Sequence, residues 1–416
     1  MVRSSLICSP SRGRRGVGDE SRGHLMRSRN RQYLVSVDHL RAYAALLVLF
    51  CHGTHMISPH LREIANGAPN SWLYTENPLG TLVVEGHTGV ALFMVLSGFI
   101  FTIGTLGKDI HYGRFLGNRV LRIFPLYIAL IILGVGAYKQ RADLPAVLQS
   151  LIGLGNLPGS LDLGAVSSMW WAIAVELQFY LLFPLFSRLL TKSGPLALCK
   201  LLAAVAVIRT LVWASAAGGI NVNSMLYYSL AGRIDQFLMG MMAAWFFVHH
   251  RKRFQGLLKV GLATALVTGA VWAFNQTHSF HEGRASRLLW VDVEGALWAL
   301  VVLTYVATVS STGRVSRGIA KVGEMSFSVY LLHYMVVTMF VSHRWGIEPT
   351  GRPVVDAFIT TVVAVLPITL ITAVVTFHGI ERPFLRWRRT YLSAAQPPAT
   401  AAAPSPAPKV ELVSPR

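Results

Sequence analysis

The feature that most constrains this chain is a series of apolar stretches, each about 20 residues long, the length an α-helix needs to cross a bilayer. They fall at 36–56, 80–106, 120–138, 168–190, 195–216, 225–248, 257–275, 288–310, 319–342 and 353–378. Inside hydrocarbon a segment must satisfy its own backbone N–H and C=O groups, so runs of this length can only be helices. The sequence therefore predicts an all-α integral membrane protein, a bundle of about ten transmembrane helices. Composition agrees: 53% of the 416 residues are hydrophobic and 14% are charged, against about 25% charged in soluble domains. The run at 144–158 is too short and too broken by Gly and Pro to span, and either lies on the interface or re-enters.

Lysine and arginine fix the orientation. "HHRKRF", "GRVSRGIAK" and "ERPFLRWRR" flank the spans on one side, whereas the opposite loop "GGINVNS" has none. Basic residues anchor loops on the cytoplasmic side, which predicts N-in/C-in and a multi-pass protein. The net charge of +19 is thus accounted for by bilayer anchoring, and no nucleic-acid partner is implied. Cys8, Cys51 and Cys199 show no pairing pattern, and no CxxC, HExxH or EF-hand spacing supports a metal. The division is a disordered basic tail at 1–32, a transmembrane domain at 33–388 and a disordered Pro/Ala-rich tail at 389–416. The first tail lacks the apolar core of a signal peptide, and Met26 is an alternative start.

Ionisable residues inside the predicted spans are the candidates for function, because each costs about 2.5–3.5 kcal/mol near the bilayer centre. Arg41 and His52 lie on span 1, Glu85 and His87 on span 2, Glu176 on span 4, Arg233 and Asp235 on span 6, Asp292 and Glu294 on span 8, and His333 on span 9. Any one of them could be a structural ion pair. So many together point to an internal polar cavity. Asp38, Arg41, Arg119, Arg122 and Glu381 fall near the inner face; His52, Glu85, His87 and Glu176 fall in the outer half. Arg41 and His52 are eleven residues apart, almost three whole turns, so they share a face at a separation of about 16 Å. Arginine binds phosphate or carboxylate, and histidine serves as a general base near neutral pH.

Arg41, His52, Arg119, Arg122, Glu176, Arg233, Asp235 and His333 lie within blocks that resemble a known family, whereas Asp292 and Glu294 fall outside them. "VDHLRAYAALLVLFCH" resembles the first helix of the acyltransferase 3 membrane proteins, with their Arg-x10-His motif on Arg41 and His52. "GVALFMVLSGFIF", "RVLRIFPLY", "WWAIAVELQFYLLFP", "RIDQFLMGM", "GEMSFSVYLLH" and "ERPF" are similar to the later blocks, in the same order. The likeness covers about 33–388. It departs where His39 replaces a glycine, where Ala172 and Ile173 replace Ser and Leu, and where Phe327 replaces Tyr. The Pro/Ala tail stands where larger relatives carry an SGNH hydrolase-type domain.

The resemblance implies an O-acyltransferase, acting from a cytoplasmic acyl-CoA, acetyl-CoA above all, on a hydroxyl of a glycan or lipid-linked sugar. Acyl-CoA enters as co-substrate, and no bound cofactor is expected. His52 would be the base or the acyl acceptor, with Glu176 orienting it or relaying the proton. Arg41, Arg119 and Arg122 would hold the CoA phosphates, and Arg233, Asp235, Trp171 and His333 the substrate. Plainer roles stand beside these: inner-face anchoring for Arg119 and Arg122, an interhelical hydrogen bond for His333, an outer aromatic belt for Trp170 and Trp171, a helix-end ion pair for Glu381. Asp292 and Glu294 are assigned to a helix start or outer rim. Two rival functions remain at this point, acylation of a secondary metabolite such as a macrolide sugar and proton-coupled transport. The absence of an inverted repeat weighs against the second.

Overall fold

A computed structural model describes residues 33–66, 73–216, 222–277, 286–311 and 313–392. The expected tail at 1–32 lies outside them, as does most of the tail expected at 389–416. Among the described residues the only strand-type pairing is a single bridge between Ile110 and Leu392, and the rest of the regular structure is helical.

The helices are α1 (Val35–Asn66), α2 (Pro78–Val84), α3 (Thr88–Thr105), α4 (Tyr112–Ala137), α5 (Leu144–Gln149), α6 (Trp170–Ser193), α7 (Pro195–Ser215), α8 (Val222–Tyr227), α9 (Leu230–Phe254) and α10 (Leu257–Gln276). After them come α11 (Ser286–Thr308), α12 (Arg314–Glu324), α13 (Ser326–Ser342) and the long α14 (Pro353–Leu385). By length and composition, 8 of the described helices can cross a membrane, or 9 when α12 and α13, bent by 68° at Met325, count as one span. The tenth expected span corresponds to α9, long enough at 25 residues but charged at both ends, with Arg233 and Asp235 near its start and "HHRKRF" at its finish. The stretch at 144–158 begins as a short apolar helix running on to Leu154, consistent with an interfacial element.

Two expected spans are interrupted. The run 80–106 breaks at Glu85-Gly86-His87 into α2 and α3. The run 353–378 stays continuous but holds two π-helical turns, Thr361–Val365 and Phe377–Glu381. The break carries Glu85 and His87, in keeping with the tolerance of irregular backbone only where protein or a cavity surrounds it, and of the two π turns only the second, with Glu381, carries a charged residue.

Burial sorts centre from rim. The most apolar window of α3 is 78% buried, whereas those of α7 and α10 are 11% and 22% buried. Leu211, Val207 and Ile208 of α7 point outward, as side chains facing lipid do. α3 packs most extensively against α9, and glycine sets that distance. A Cβ on Gly98 would lie 2.1 Å from the Phe237 carbonyl oxygen, and one on Gly240 would lie 2.0 Å from the Val95 carbonyl oxygen. Without a hydrophobic drive between helices in lipid, this close backbone approach is what holds such a pair. Gly98→Val is expected to force α3 off α9 and cost about 1–3 kcal/mol or more from overpacking. A detergent melt compared with exposed Gly261→Ala, whose Cβ meets nothing within 4 Å, checks this; equal melting of the two would refute it.

Part of the stretch assigned to the C-terminal tail is tied down. Asn118 exchanges hydrogen bonds with the Arg389 backbone at 2.7 and 2.9 Å, and the His111 N–H donates to the Tyr391 carbonyl at 2.8 Å. Tyr391 is buried against Phe115. Residues 389–392 therefore pack on the helical domain.

Candidate active site

One cavity of about 200 Å³, room for several waters or a narrow chain, opens among α1, α3, α4, α6, α13 and the end of α14. Arg41, Arg119 and Arg122 all line it, together with Asp38, Glu176, Glu324 and Arg388. The three arginines expected at the inner mouth are thus brought together from α1 and α4. Arg388, from the "RWRR" cluster, joins them, although the sequence marked it only as an anchor.

The arginines differ in what holds them. Arg122 is fixed by the Glu381 carboxylate at 2.9 Å and the Glu324 carbonyl at 3.1 Å, over the face of Phe327. Glu381 sits in the second π turn of α14, fully buried, and also accepts from Ser328. Glu381 thus pairs with an arginine in the interior of α4, not with the helix-end arginine expected for it. Arg41 is paired with Asp38 at 3.2 Å, one turn earlier on α1. Arg119 has aromatic support instead: its guanidinium lies 4.7 Å from the Phe101 centroid, 5.6 Å from Phe115 and 6.0 Å from Tyr180. Its Nε is buried with no hydrogen-bond partner among the described residues. A guanidinium stacks well because it is planar and weakly hydrated. Held this way, Arg119 keeps its donors for an anion.

Glu176 forms the opposite wall. Its Oε1 accepts from Ser97 at 3.0 Å and from Tyr180, one turn along α6. Both bonds fall on one oxygen, so Oε2 has acceptor capacity left for a ligand. His52 is held elsewhere, its Nδ1 lying 3.0 Å from His333 Nε2, with Tyr334 edge-on at 5.3 Å. The two residues expected to act as a pair are held by different partners, Glu176 by Ser97 and Tyr180, His52 by His333. Shared depth did not translate into contact.

The hydrogen bonds decide the histidine tautomers. His333 Nδ1 lies 2.7 Å from the Tyr330 carbonyl and 3.2 Å from the Val329 carbonyl. Carbonyls only accept, so Nδ1 carries the proton and neutral His333 presents a bare Nε2. His52 must then donate from Nδ1, which leaves its own Nε2 with a free lone pair. A residue held in one tautomer by its neighbour's hydrogen bond is the arrangement general bases need.

The remaining substrate candidates divide. Arg233 on α9 lies 4.4 Å from the Tyr227 centroid and 5.7 Å from Trp171. It donates to the Tyr227 carbonyl at 3.0 Å and to Gln236 at 3.3 Å, with Glu294 at 4.0 Å. Trp171 is 7% exposed and packs on Tyr227 and Tyr228, so it belongs to an internal aromatic cluster instead of an interfacial belt. The broken span supplies the neighbouring Glu85 and His87, 3.4 Å apart, with His87 against Tyr227. Asp235 points elsewhere. It is fully buried against Arg209 of α7, which also holds Asp292 at 2.5 Å and the Leu288 carbonyl at 2.9 Å. Asp292 and Glu294 are therefore network members, not a helix start or rim. Arg209 escaped the sequence reading because one arginine in an otherwise apolar span gives no hint of which carboxylates it will meet.

The departures from the motif pattern are also placed. His39 bonds the Ser316 carbonyl at 2.9 Å and the Tyr305 hydroxyl at 3.1 Å, tying α1 to α11 and α12. Phe327 and Ala172 line the cavity.

The described helices thus enclose an arginine-walled cavity and a clamped histidine in an apolar bundle. The chain belongs to the acyltransferase 3 family, whose model, described as an acyltransferase domain, matches residues 34–378. It is similar to Acyltransferase MdmB of Streptomyces mycarofaciens, 23% identical over 89% of this chain and 97% of that protein. It is 24% identical to Nodulation protein 10 of Rhizobium leguminosarum bv. viciae over 76% of this chain and 88% of that protein. The Peptidoglycan O-acetyltransferase OatA of Listeria monocytogenes is 23% identical over 85% of this chain, which spans 56% of that protein. No solved structure matches the chain significantly. The protein is a multi-pass membrane acyltransferase, and the transport reading is set aside.

Proposed function

We propose that the protein transfers an acyl group, an acetyl group in the first instance, from acyl-CoA to a hydroxyl of a glycan or lipid-linked sugar. The observation that carries this reading is the His333 clamp, which leaves His52 Nε2 free on the same face of α1 as an arginine-walled cavity. The basic end of the bundle faces the cytoplasm of a bacterial inner membrane by the positive-inside bias. CoA enters there, its phosphates meeting Arg119, Arg41 and Arg388, and its pantetheine arm passes Ser97 and Glu176 toward His52. Glu176 acts as a wall acceptor for an amide N–H of that arm.

His52 Nε2 takes the proton of the acceptor hydroxyl as its oxygen attacks the thioester carbonyl carbon. The C–S bond then breaks, and the thiolate leaving group recovers the proton from the imidazolium. An ester and free CoA result, with no other reactant. Support for a sugar acceptor comes from the name of the OatA relative and from the Trp171, Tyr227 and Tyr228 rings, which offer stacking faces beside Arg233.

Arg119→Ala is expected to raise the KM for acetyl-CoA by about 10-fold or more, the loss of one charged hydrogen bond, with a smaller change in kcat. Steady-state kinetics with radiolabelled acetyl-CoA and a fixed acceptor measures both. An unchanged KM would remove the arginine cavity from the donor site. Glu176→Gln keeps the acceptor capacity of one oxygen and is expected to lose no more than about 10-fold in kcat, less than a proton-transfer residue would lose. A drop as large as that of a His52 variant would restore Glu176 to the chemistry.

A further inference from the structure

Several buried hydroxyls have no hydrogen-bond partner among the described residues, and three of them, on Tyr33, Ser326 and Tyr330, belong to residues that line the arginine cavity. Tyr330 of α13 is 7% exposed, and its Oη is buried with no hydrogen-bond partner among the described residues. Its ring packs edge-on against Phe93 at 5.9 Å and lies 5.8 Å from His333. Phenylalanine would satisfy that packing equally well. Buried phenols find partners, because an unmade hydrogen bond in a dry site is costly. Because Tyr330 lines the cavity, a molecule held there is within the reach of its hydroxyl in a way that it is not for the unpartnered hydroxyls of Thr54, Ser58 or Thr369.

Its position says which part of the ligand. Tyr330 lines the arginine cavity, while His52 and His333 are not among the lining residues. It precedes His333 by three residues, about 4.5 Å of helix rise, on the side toward the basic end. Glu176 and Ala172 of α6 line the same cavity as Tyr330, and Trp171, next to Ala172, belongs to the same buried apolar cluster. Tyr330 thus stands where a thioester threaded from the arginines would meet an acceptor lying against Trp171 and Tyr227.

We propose that the Tyr330 hydroxyl donates a hydrogen bond to the carbonyl oxygen of the acyl group being transferred. This rests on the acyl-CoA reading above. When the acceptor oxygen bonds to the thioester carbon, the C=O pair moves onto that oxygen, and the phenol O–H faces the new negative charge. When the C–S bond breaks the pair returns, the carbonyl re-forms, and Tyr330 keeps its proton throughout. Donors aimed at developing charge in a water-poor site act mainly on the rate of the chemical step.

Tyr330→Phe separates this role from packing. With labelled acetyl-CoA and acceptor, kcat is expected to fall about 10²–10³-fold, as for loss of one oxyanion donor, with the KM for acetyl-CoA and the melting temperature unchanged. A Phe variant that turns over at the wild-type rate overturns the proposal. So does one that loses only KM. If wild-type protein itself transfers no label, the acyl-CoA reading fails instead, and the two failures are distinguishable. Should the Phe variant fail to fold, 3,5-difluorotyrosine at 330 serves. Its phenol ionises more readily, so the donor, and with it kcat, is expected to be lost at lower pH than in the tyrosine enzyme. Identical pH profiles would overturn the proposal.

Discussion

His52→Ala is expected to abolish label transfer from acetyl-CoA, a fall of about 10²–10⁴-fold in kcat, the range a positioned general base supplies. The residue is half-buried and ends in a polar contact with His333, so the variant should fold with near-normal melting. His333→Phe tests the clamp separately. It leaves His52 Nδ1–H unsatisfied and lets the ring choose the wrong tautomer, so kcat is expected to fall while the KM for acetyl-CoA stays near the wild-type value. Loss of an orienting partner can rival loss of the base itself when the tautomer is wrong. Glutamine at 333 restores an acceptor opposite His52 and should recover part of the rate. If His52→Ala transfers label normally, the base is elsewhere. If His333→Phe is indistinguishable from wild type, the tautomer argument fails while the assignment of His52 stands.

Arg209→Leu is expected to be the most destabilising single change in the bundle. It strips the partner from fully buried Asp235 and from Asp292. Breaking a buried pair by removing one member costs about 3–5 kcal/mol, because the remaining charge is left uncompensated. Neutralising the carboxylates together with it, in Arg209→Leu/Asp235→Asn/Asp292→Asn, is expected to recover much of that loss, since replacing a whole buried ion group is far less harmful than halving it. Thermal unfolding in detergent measures the difference. This also decides what Asp235 does. Normal melting of Arg209→Leu with a raised KM for the acceptor would return Asp235 to substrate binding. Lower melting with rescue by the triple variant assigns it to helix packing.

The tightness of the α3–α9 crossing gives the same lesson at short range. In "LSGFIF" and "QFLMGM" the glycines read as ordinary members of apolar runs. Only the reciprocal approach of Gly98 to Phe237 and Gly240 to Val95 shows why a side chain is excluded. The broken span at Glu85-Gly86-His87 is similar. Hydropathy over 80–106 is high enough to predict one helix, because the averaging conceals two charged residues that the tertiary environment keeps off lipid.

The sequence by itself determined the class of the fold and the list of charges to explain. Hydropathy sets which segments enter the bilayer because the cost of transferring each residue into lipid is local and nearly additive. The Arg41–His52 spacing was legible because helix geometry is fixed. The gathering of Arg41, Arg119 and Arg122 around one cavity followed the grouping that depth suggested. Pairing was beyond reach. Nothing in the sequence says that Arg122 meets Glu381 across 259 positions, that Arg209 takes Asp235 and Asp292, or that His52 meets His333 instead of Glu176. An α-helix presents every side chain at a known depth and angle about its own axis, and the rotation and neighbours of each helix are set by packing among all the others. Depth is therefore written in the sequence, and contact is decided by the bundle.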